Sequence, residues 1–158
     1  MDIFFTRRHN YIINDSIDNV RAEIKSITGS RWYDASDNIS GSIKNNGSFK
    51  LTQKWSFIVI QWIERSPAYL NGTLLAEDNR TIINTTLRPN SAFVISFYLL
   101  TIPFLCELFG VDTFIGGSKT FKLLFLPFFS LILFGLMQLY TTGLRKRFER
   151  LLHLRNAK

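Results

Sequence analysis

Two long runs without a charged residue are the feature of this sequence that most restricts its fold. Between Arg88 and Glu107 there are 18 uncharged residues, and between Lys122 and Arg145 there are 22. As helices, at about 1.5 Å per residue, the runs would be roughly 27 and 33 Å long, close to the ~30 Å hydrocarbon thickness of a bilayer. The sequence therefore predicts two membrane-spanning helices.

The composition of the runs favours lipid over a protein core. A surface helix of a small soluble protein needs a polar face, but the second run, which begins LLFLPFFSLILFGLMQLY, is apolar all round. Pro103 and Pro127 would each cost about 3 kcal/mol inside a short soluble helix, whereas packed membrane helices tolerate proline. We interpret residues 89–144 as a transmembrane helical hairpin, with spans at about 91–109 and 121–144 joined by the glycine-containing segment GVDTFIGGSKT.

The positive charge lies beside these runs. Of a net charge of +7, +5 falls in the last fifteen residues. Cytoplasmic segments next to membrane spans are rich in lysine and arginine, and the loop between the runs has only Lys119 and Lys122. We therefore expect both termini to be cytoplasmic. The residues expected at the membrane surface, in contact with anionic lipid headgroups, are Arg88, Arg145, Lys146, Arg147 and Arg150.

Several N-x-S/T sequences support a different orientation, because such sites are glycosylated in luminal domains. In a chain rich in Asn, Ser and Thr they also arise from composition alone, so a luminal first module remains the alternative. The matching asparagines include Asn38, Asn46, Asn71, Asn79 and Asn84.

Residues 145–158 are predicted to form a basic amphipathic tail. Leu144, Phe148, Leu151 and Leu152 recur at helical spacing, with cations on the remaining face. Such a helix would continue out of the second span and lie along the headgroups. The alternative is that its apolar face packs on the sheet of the same chain or on a partner.

Residues 1–88 have the pattern of a soluble α+β module. Ile17, Val20, Ile24 and Ile27 have helical spacing, with Asp15 or Ser16 as N-cap and Gly29 as the stop signal. Beyond this helix, strand patterns follow in NISGSI, GSFKLTQKW, AYLNGTLL and RTIINTTL, with NNG and AEDN as turns. SFIVIQWI, residues 56–63, is typical of a central strand. The fold class expected is one helix on a small antiparallel sheet of about four or five strands, followed by the hairpin.

Polar groups inside the apolar runs are candidates for contacts between the two helices. Tyr98 and Gln138 fall at similar depth in an antiparallel hairpin, and Glu107 lies at the far end near Lys122. Such contacts stabilise helix pairs by about 0.6 to 2 kcal/mol each. The functional alternative is a pore or ion path, since ionisable groups inside a membrane are often functional.

Residues typical of catalysis or metal binding are too few to predict a site. His9 and His153 lie at opposite ends of the chain, without further ligands at the spacing that zinc requires. Cys106 lies inside a span, where a thiol is usually a small apolar group. The acids Asp34, Asp37, Glu77 and Asp78 lie in predicted turns. We therefore expect no enzymatic activity, no metal or other cofactor, and, because the basic charge is concentrated in the tail, no nucleic-acid partner.

The segment NGTLLAEDNRTIINTTLRPN, followed directly by a hairpin and a basic tail, resembles a loose group of small, mostly uncharacterised bacterial membrane proteins. In that group a short sheet domain precedes two spans, and the resemblance covers about the last two thirds of the chain. The resemblance implies a location in a bacterial inner membrane and no particular activity.

These observations favour a non-enzymatic, membrane-anchored binding or scaffold module that contacts a protein partner or forms homo-oligomers. A small oligomeric pore or membrane-disrupting effector, and an accessory subunit of a larger membrane complex, are the alternatives. A pore built from two-helix protomers would require several copies.

Overall fold

The computed structural model describes residues 5–29, 38–53, 66–78, 80–111 and 116–154. These residues form a five-stranded antiparallel sheet and three helices, two of which are long and apolar. In chain order the elements are β1 (Arg7–Ile13), α1 (Ile17–Gly29), β2 (Ile39–Ile43), β3 (Ser48–Gln53), β4 (Ala68–Glu77), β5 (Arg80–Pro89), α2 (Ser91–Leu108) and α3 (Lys119–Leu151). The strand order across the sheet is β1-β5-β4-β3-β2.

The predicted hairpins are confirmed. β2 and β3 pair antiparallel across the turn at residues 44–47. Gly47 in this turn has a φ of 78°, which residues with a side chain rarely adopt. β4 and β5 pair along their whole length, from Glu77 opposite Arg80 to Ala68 opposite Pro89. The chain then enters α2 directly, because the Asn90 side chain caps the helix by accepting a hydrogen bond from the Ala92 amide.

The predicted first helix is also confirmed. Ser16 Oγ accepts from the amide of Asn19, so the N-cap is Ser16, and α1 ends at Gly29. The apolar stripe of α1, formed by Val20, Ile24 and Ile27, is buried in the core.

One strand was not predicted. The segment RRHNYII forms β1 and pairs with β5 as an edge strand, with Tyr11 opposite Ile83. His9, Tyr11 and Ile13 are less exposed than their neighbours, but the strand begins with the four polar residues RRHN. The sequence therefore has little of the apolar alternation that indicates a strand. The strand predicted at residues 56–63 lies outside the described residues.

Among the described residues, the core lies on one face of the sheet, and two helices cover it where the sequence predicted one. α1 packs mainly over β2, whereas the C-terminal half of α3 crosses β4 and β5. α3 runs unbroken through residue 144, where the sequence placed the end of the span and the start of the tail. The core therefore combines residues from before position 88 with residues from α2 and α3.

The apolar face of the predicted tail is part of this core, so its placement along lipid headgroups is wrong. Leu144, Phe148 and Leu152 are buried. The Phe148 ring stacks on Phe49 at 5.8 Å and meets Tyr11 edge-on at 6.0 Å between centroids. Gly72 lies opposite Phe49 in the sheet and leaves room for the Phe49 ring, because a Cβ on residue 72 would lie 2.2 Å from that ring.

α2 and α3 form an antiparallel pair. Phe93 stacks on Tyr140 near the sheet, and Thr101 hydrogen-bonds Ser130 in the middle of the pair. Both helices are long and apolar enough to cross a membrane. Within an apolar stretch of 18 residues in each helix, the buried share is only 17% for α2 and 22% for α3. A core helix of a soluble protein would be mostly buried, so these helices present their apolar residues outwards.

Candidate functional site

The helical pair carries a continuous apolar surface, which we call the apolar belt. Within the described residues, large exposed apolar side chains occur on these helices and the turn after α2, apart from Ile12 and Leu75 in the sheet. On α2 they begin at Ile95, and on α3 they end at Leu139. Since Phe93 and Tyr140 stack just beyond these limits, both helices leave the belt at the same level. Along α3, from Phe121 to Leu139, the belt is about 27 Å long.

An ion pair lies at the end of the belt far from the sheet. Lys122 Nζ donates to Glu107 Oε1 at 2.5 Å, and the side chains are only 12% and 6% exposed. Glu107 is on the last turn of α2 and Lys122 on the first turn of α3. The structure thus brings together two of the four predicted interhelical residues. Within the belt, Glu107 compensates the positive charge of Lys122.

The other two predicted residues have different surroundings. Gln138 Oε1 accepts a hydrogen bond from Arg7 at 2.6 Å, so it links α3 to β1. Tyr98 packs its ring edge-on against Phe5 and Phe97. The polar contact in the middle of the helical pair, between Thr101 and Ser130 at 3.2 Å, was not predicted because hydroxyls in apolar runs are common and carry no pairing signal.

A second polar cluster joins the sheet to α3. Tyr11 donates its phenolic hydrogen to Glu149 at 2.8 Å, and the guanidinium of Arg145 lies 3.5 Å from the same carboxylate. His9, on the same strand, stands next to Tyr11. These contacts fix the direction in which α3 leaves the sheet, because Tyr11 and Phe148 pack on the same side of it.

Burial changes the pKa values of this cluster. Burial and the positive charge of Arg145 lower the pKa of His9. Burial, together with the hydrogen bond to Glu149, raises the pKa of Tyr11 well above its ordinary value of 10. Both groups are therefore held in their neutral forms at pH 7.

The raised pKa of Tyr11 predicts a loss of stability in alkali. Above pH 10 the unfolded chain loses the tyrosine proton while the folded chain keeps it, so stability falls as the pH rises towards the folded pKa. We expect the thermal midpoint of the wild type to drop more steeply between pH 10 and 11.5 than that of Tyr11→Phe, which has no phenol at this position. Parallel pH profiles of the two proteins would contradict this account.

The predicted membrane-surface cations have unequal exposure. Lys146 and Arg150 are exposed, whereas Arg145 and Arg147 are partly buried and Arg145 is paired with Glu149. Arg88 is exposed on β5, on the face of the sheet opposite the core, with its guanidinium 5.4 Å from the centre of the Tyr69 ring. All five lie at the sheet end of the helical pair.

The face of the sheet opposite the core is polar and contains two adjoining cavities. The larger, of about 630 Å³, lies between the sheet and the start of α2 and is lined by Arg88, Tyr98 and Phe5 among others. The second, of about 450 Å³, is lined by Lys44 and Lys50. The two share Asn71 and Thr86 and therefore form one groove, which we call the interface groove. A third cavity, beside Asp15, Asp78 and Arg80, is open and mostly polar.

The described residues contain no group of three or more His, Cys, Asp or Glu side chains that would hold a metal ion. The arrangement is that of an α+β sheet module attached to an apolar helical pair. No family model matches the chain, and no curated protein and no solved structure shows significant similarity to it.

Proposed function

We propose that this chain is a non-enzymatic, membrane-anchored binding module of the bacterial inner membrane. In this proposal α2 and α3 cross the bilayer, and the sheet module sits at the cytoplasmic surface, where its polar face receives a partner. The observation that carries the proposal is the apolar belt, which ends at one level on both helices and has a length that matches a bilayer core.

The attachment of the module supports a role in positioning a partner. α3 is one helix of 33 residues, with its first half in the belt and its second half in the core of the sheet. A flexible linker would let the module move freely, whereas a continuous helix fixes its height and orientation above the membrane. The polar sheet face is therefore held close to the bilayer surface.

The anchor is tested by extraction of membranes that contain the full chain. We expect the protein to remain in the membrane fraction at alkaline pH and to require detergent for release. A matched pair of variants sharpens the test: Leu131→Arg and Leu124→Arg place a charge in the middle and near the end of the belt, and the central charge should reduce insertion more. Full release by alkali without detergent would refute the anchor.

The orientation is a separate prediction. More cations lie at the sheet end of the belt, where Arg88, Lys146 and Arg150 are found, than at the other end, which has Lys119 and Lys122. We expect a cysteine at Gly116 to react with an impermeant thiol reagent added to intact cells, or to spheroplasts, and a cysteine at Glu77 to react only after lysis, both in a Cys106→Ser background. Labelling at Glu77 from outside would reverse the orientation.

The pore alternative has one observation in its favour, the ion pair within the belt. Lys122 and Glu107 satisfy each other within one chain, which fits structural stabilisation of the hairpin better than an open ion path. A pore built from this hairpin requires several copies, so a monomeric mass in detergent would exclude it.

A further inference from the structure

The geometry points to the interface groove as a binding site for an anionic glycerophospholipid from the surrounding bilayer, with its phosphate at Arg88 and its acyl chains along α2. This inference rests on the proposed membrane anchor and names a ligand for its sheet module. The three features that support it are the charge of the groove, its two unlike walls and its position relative to the apolar belt.

The charge of the groove is positive. Arg88, Lys44 and Lys50 line it, and none of the described lining residues is acidic. Arg88 and Lys50 lie over the same Tyr69 ring, with their charged groups 5.4 and 4.4 Å from its centre. The electron-rich ring attracts both cations, and a phosphate beside them would add attraction that offsets the repulsion between them, so the groove is complementary to an anion.

The walls differ in polarity. On the sheet side, Asn71 and Thr86 offer hydrogen-bonding groups beside Arg88. On the α2 side, Val94 and Ile95 form an apolar wall. A cavity of about 630 Å³ falls in the usual range for small-ligand sites, and this one accommodates a phosphoglycerol group with the first methylenes of its chains.

The position of the groove selects a lipid over a soluble anion. α2 begins at Ser91, and the apolar belt begins at Ile95, one turn further along. Ile95, Leu99 and Ile102 are exposed at positions i, i+4 and i+7, so an apolar stripe leads from the groove into the depth of the belt. A headgroup at Arg88 would thus have its acyl chains on this stripe.

The test uses the full chain in neutral detergent, with phosphatidylglycerol, phosphatidylcholine or inorganic phosphate added. Native mass spectrometry counts retained lipid, and the thermal midpoint gives the stabilisation by bound ligand. We expect saturable binding of phosphatidylglycerol, a much smaller effect of phosphatidylcholine and almost none of inorganic phosphate. Equal stabilisation by inorganic phosphate would show a site for soluble anions and overturn the inference.

Two variants address the groove and one serves as control. Arg88→Gln should weaken phosphatidylglycerol binding roughly tenfold, because a charge-assisted hydrogen bond is lost. Ser91→Asp places a negative charge in the first turn of α2, which favours the helix but repels a phosphate, so it should weaken binding without loss of fold. Lys25→Gln removes an exposed cation on α1, which packs on the face of the sheet opposite the groove, and should leave binding near the wild-type level.

Equal losses in Arg88→Gln and Lys25→Gln would indicate diffuse attraction to the whole surface and refute the site, as would wild-type binding in both groove variants. These failures are distinct from failure of the anchor. A chain released from membranes by alkali refutes the proposed function itself, whereas a membrane-embedded chain with unchanged lipid binding in the variants refutes the groove alone.

Discussion

Replacing Phe148 by alanine is expected to lower the free energy of unfolding of the sheet module by about 3 to 5 kcal/mol. Phe148 has no exposed surface, and its ring lies between Phe49 and Tyr11 in the centre of the core. The variant would leave a cavity at the point where α3 joins the sheet. The loss is large compared with the 5 to 15 kcal/mol that stabilises a typical domain.

The measurement is chemical unfolding in mild detergent, with limited proteolysis of the strands as the readout at each denaturant concentration. Phe128→Ala is the matched control, because Phe128 is 59% exposed in the apolar belt and its removal leaves no cavity in the core. We expect the control to unfold like the wild type, and the Phe148 variant to be cut in the strands at much lower denaturant concentration. Similar stability in the two variants would mean that α3 is not part of the core.

The sequence predicts those parts of the fold that depend on local patterns. The helix at Ile17–Gly29 has its cap and its apolar stripe within thirteen residues, and the β2–β3 turn is specified by Asn45, Asn46 and Gly47. The two long apolar helices follow from the absence of charge over 18 and 22 residues. In each case, residues close in the chain contain the whole signal.

The remaining parts depend on contacts between distant residues. β1 forms because Tyr11 packs in the core and Arg7–Ile13 pairs with a strand about seventy residues away, and an edge strand of this kind needs little apolar alternation. The stripe Leu144, Phe148 and Leu152 identifies a buried face, but the same stripe would result from burial in lipid or on the sheet. Amphipathicity therefore predicts the face and leaves its partner open.

The candidate site also has a part that the sequence predicts and a part that depends on contacts between distant residues. Glu107 and Lys122 were predicted as interhelical residues from their depths alone, because an antiparallel hairpin places equal depths side by side. The interface groove was not predicted, since Arg88, Asn71 and Tyr98 come from separate elements and meet only when the sheet and α2 are assembled. The exposed arginine before the first span was the one signal in the sequence that pointed towards it.

The second large effect is expected at the ion pair of the helical pair. Glu107→Leu removes the carboxylate beside the largely buried ammonium of Lys122, and Lys122→Met removes the ammonium beside the buried Glu107 carboxylate. Removing one partner of a buried pair typically destabilises a protein by 3 to 5 kcal/mol. Lys122 retains 12% exposure and lies in the first turn of α3. We therefore expect either single variant to be destabilised by about 3 kcal/mol, at the lower end of this range.

The double variant Glu107→Leu/Lys122→Met separates the cost of an uncompensated buried charge from the cost of changing the shape of the side chains. With both charges gone, neither remains to be solvated, and the double variant should be close to the wild type in an SDS unfolding titration monitored by circular dichroism. Thr101→Val is the reference, since loss of the hydrogen bond to Ser130 should cost only about 0.6 kcal/mol. If the single variants were no worse than Thr101→Val, water would reach the pair, and that end of the belt would lie at the membrane surface. A double variant as unstable as the sum of the singles would show instead that the attraction between the charges contributes nothing to the hairpin.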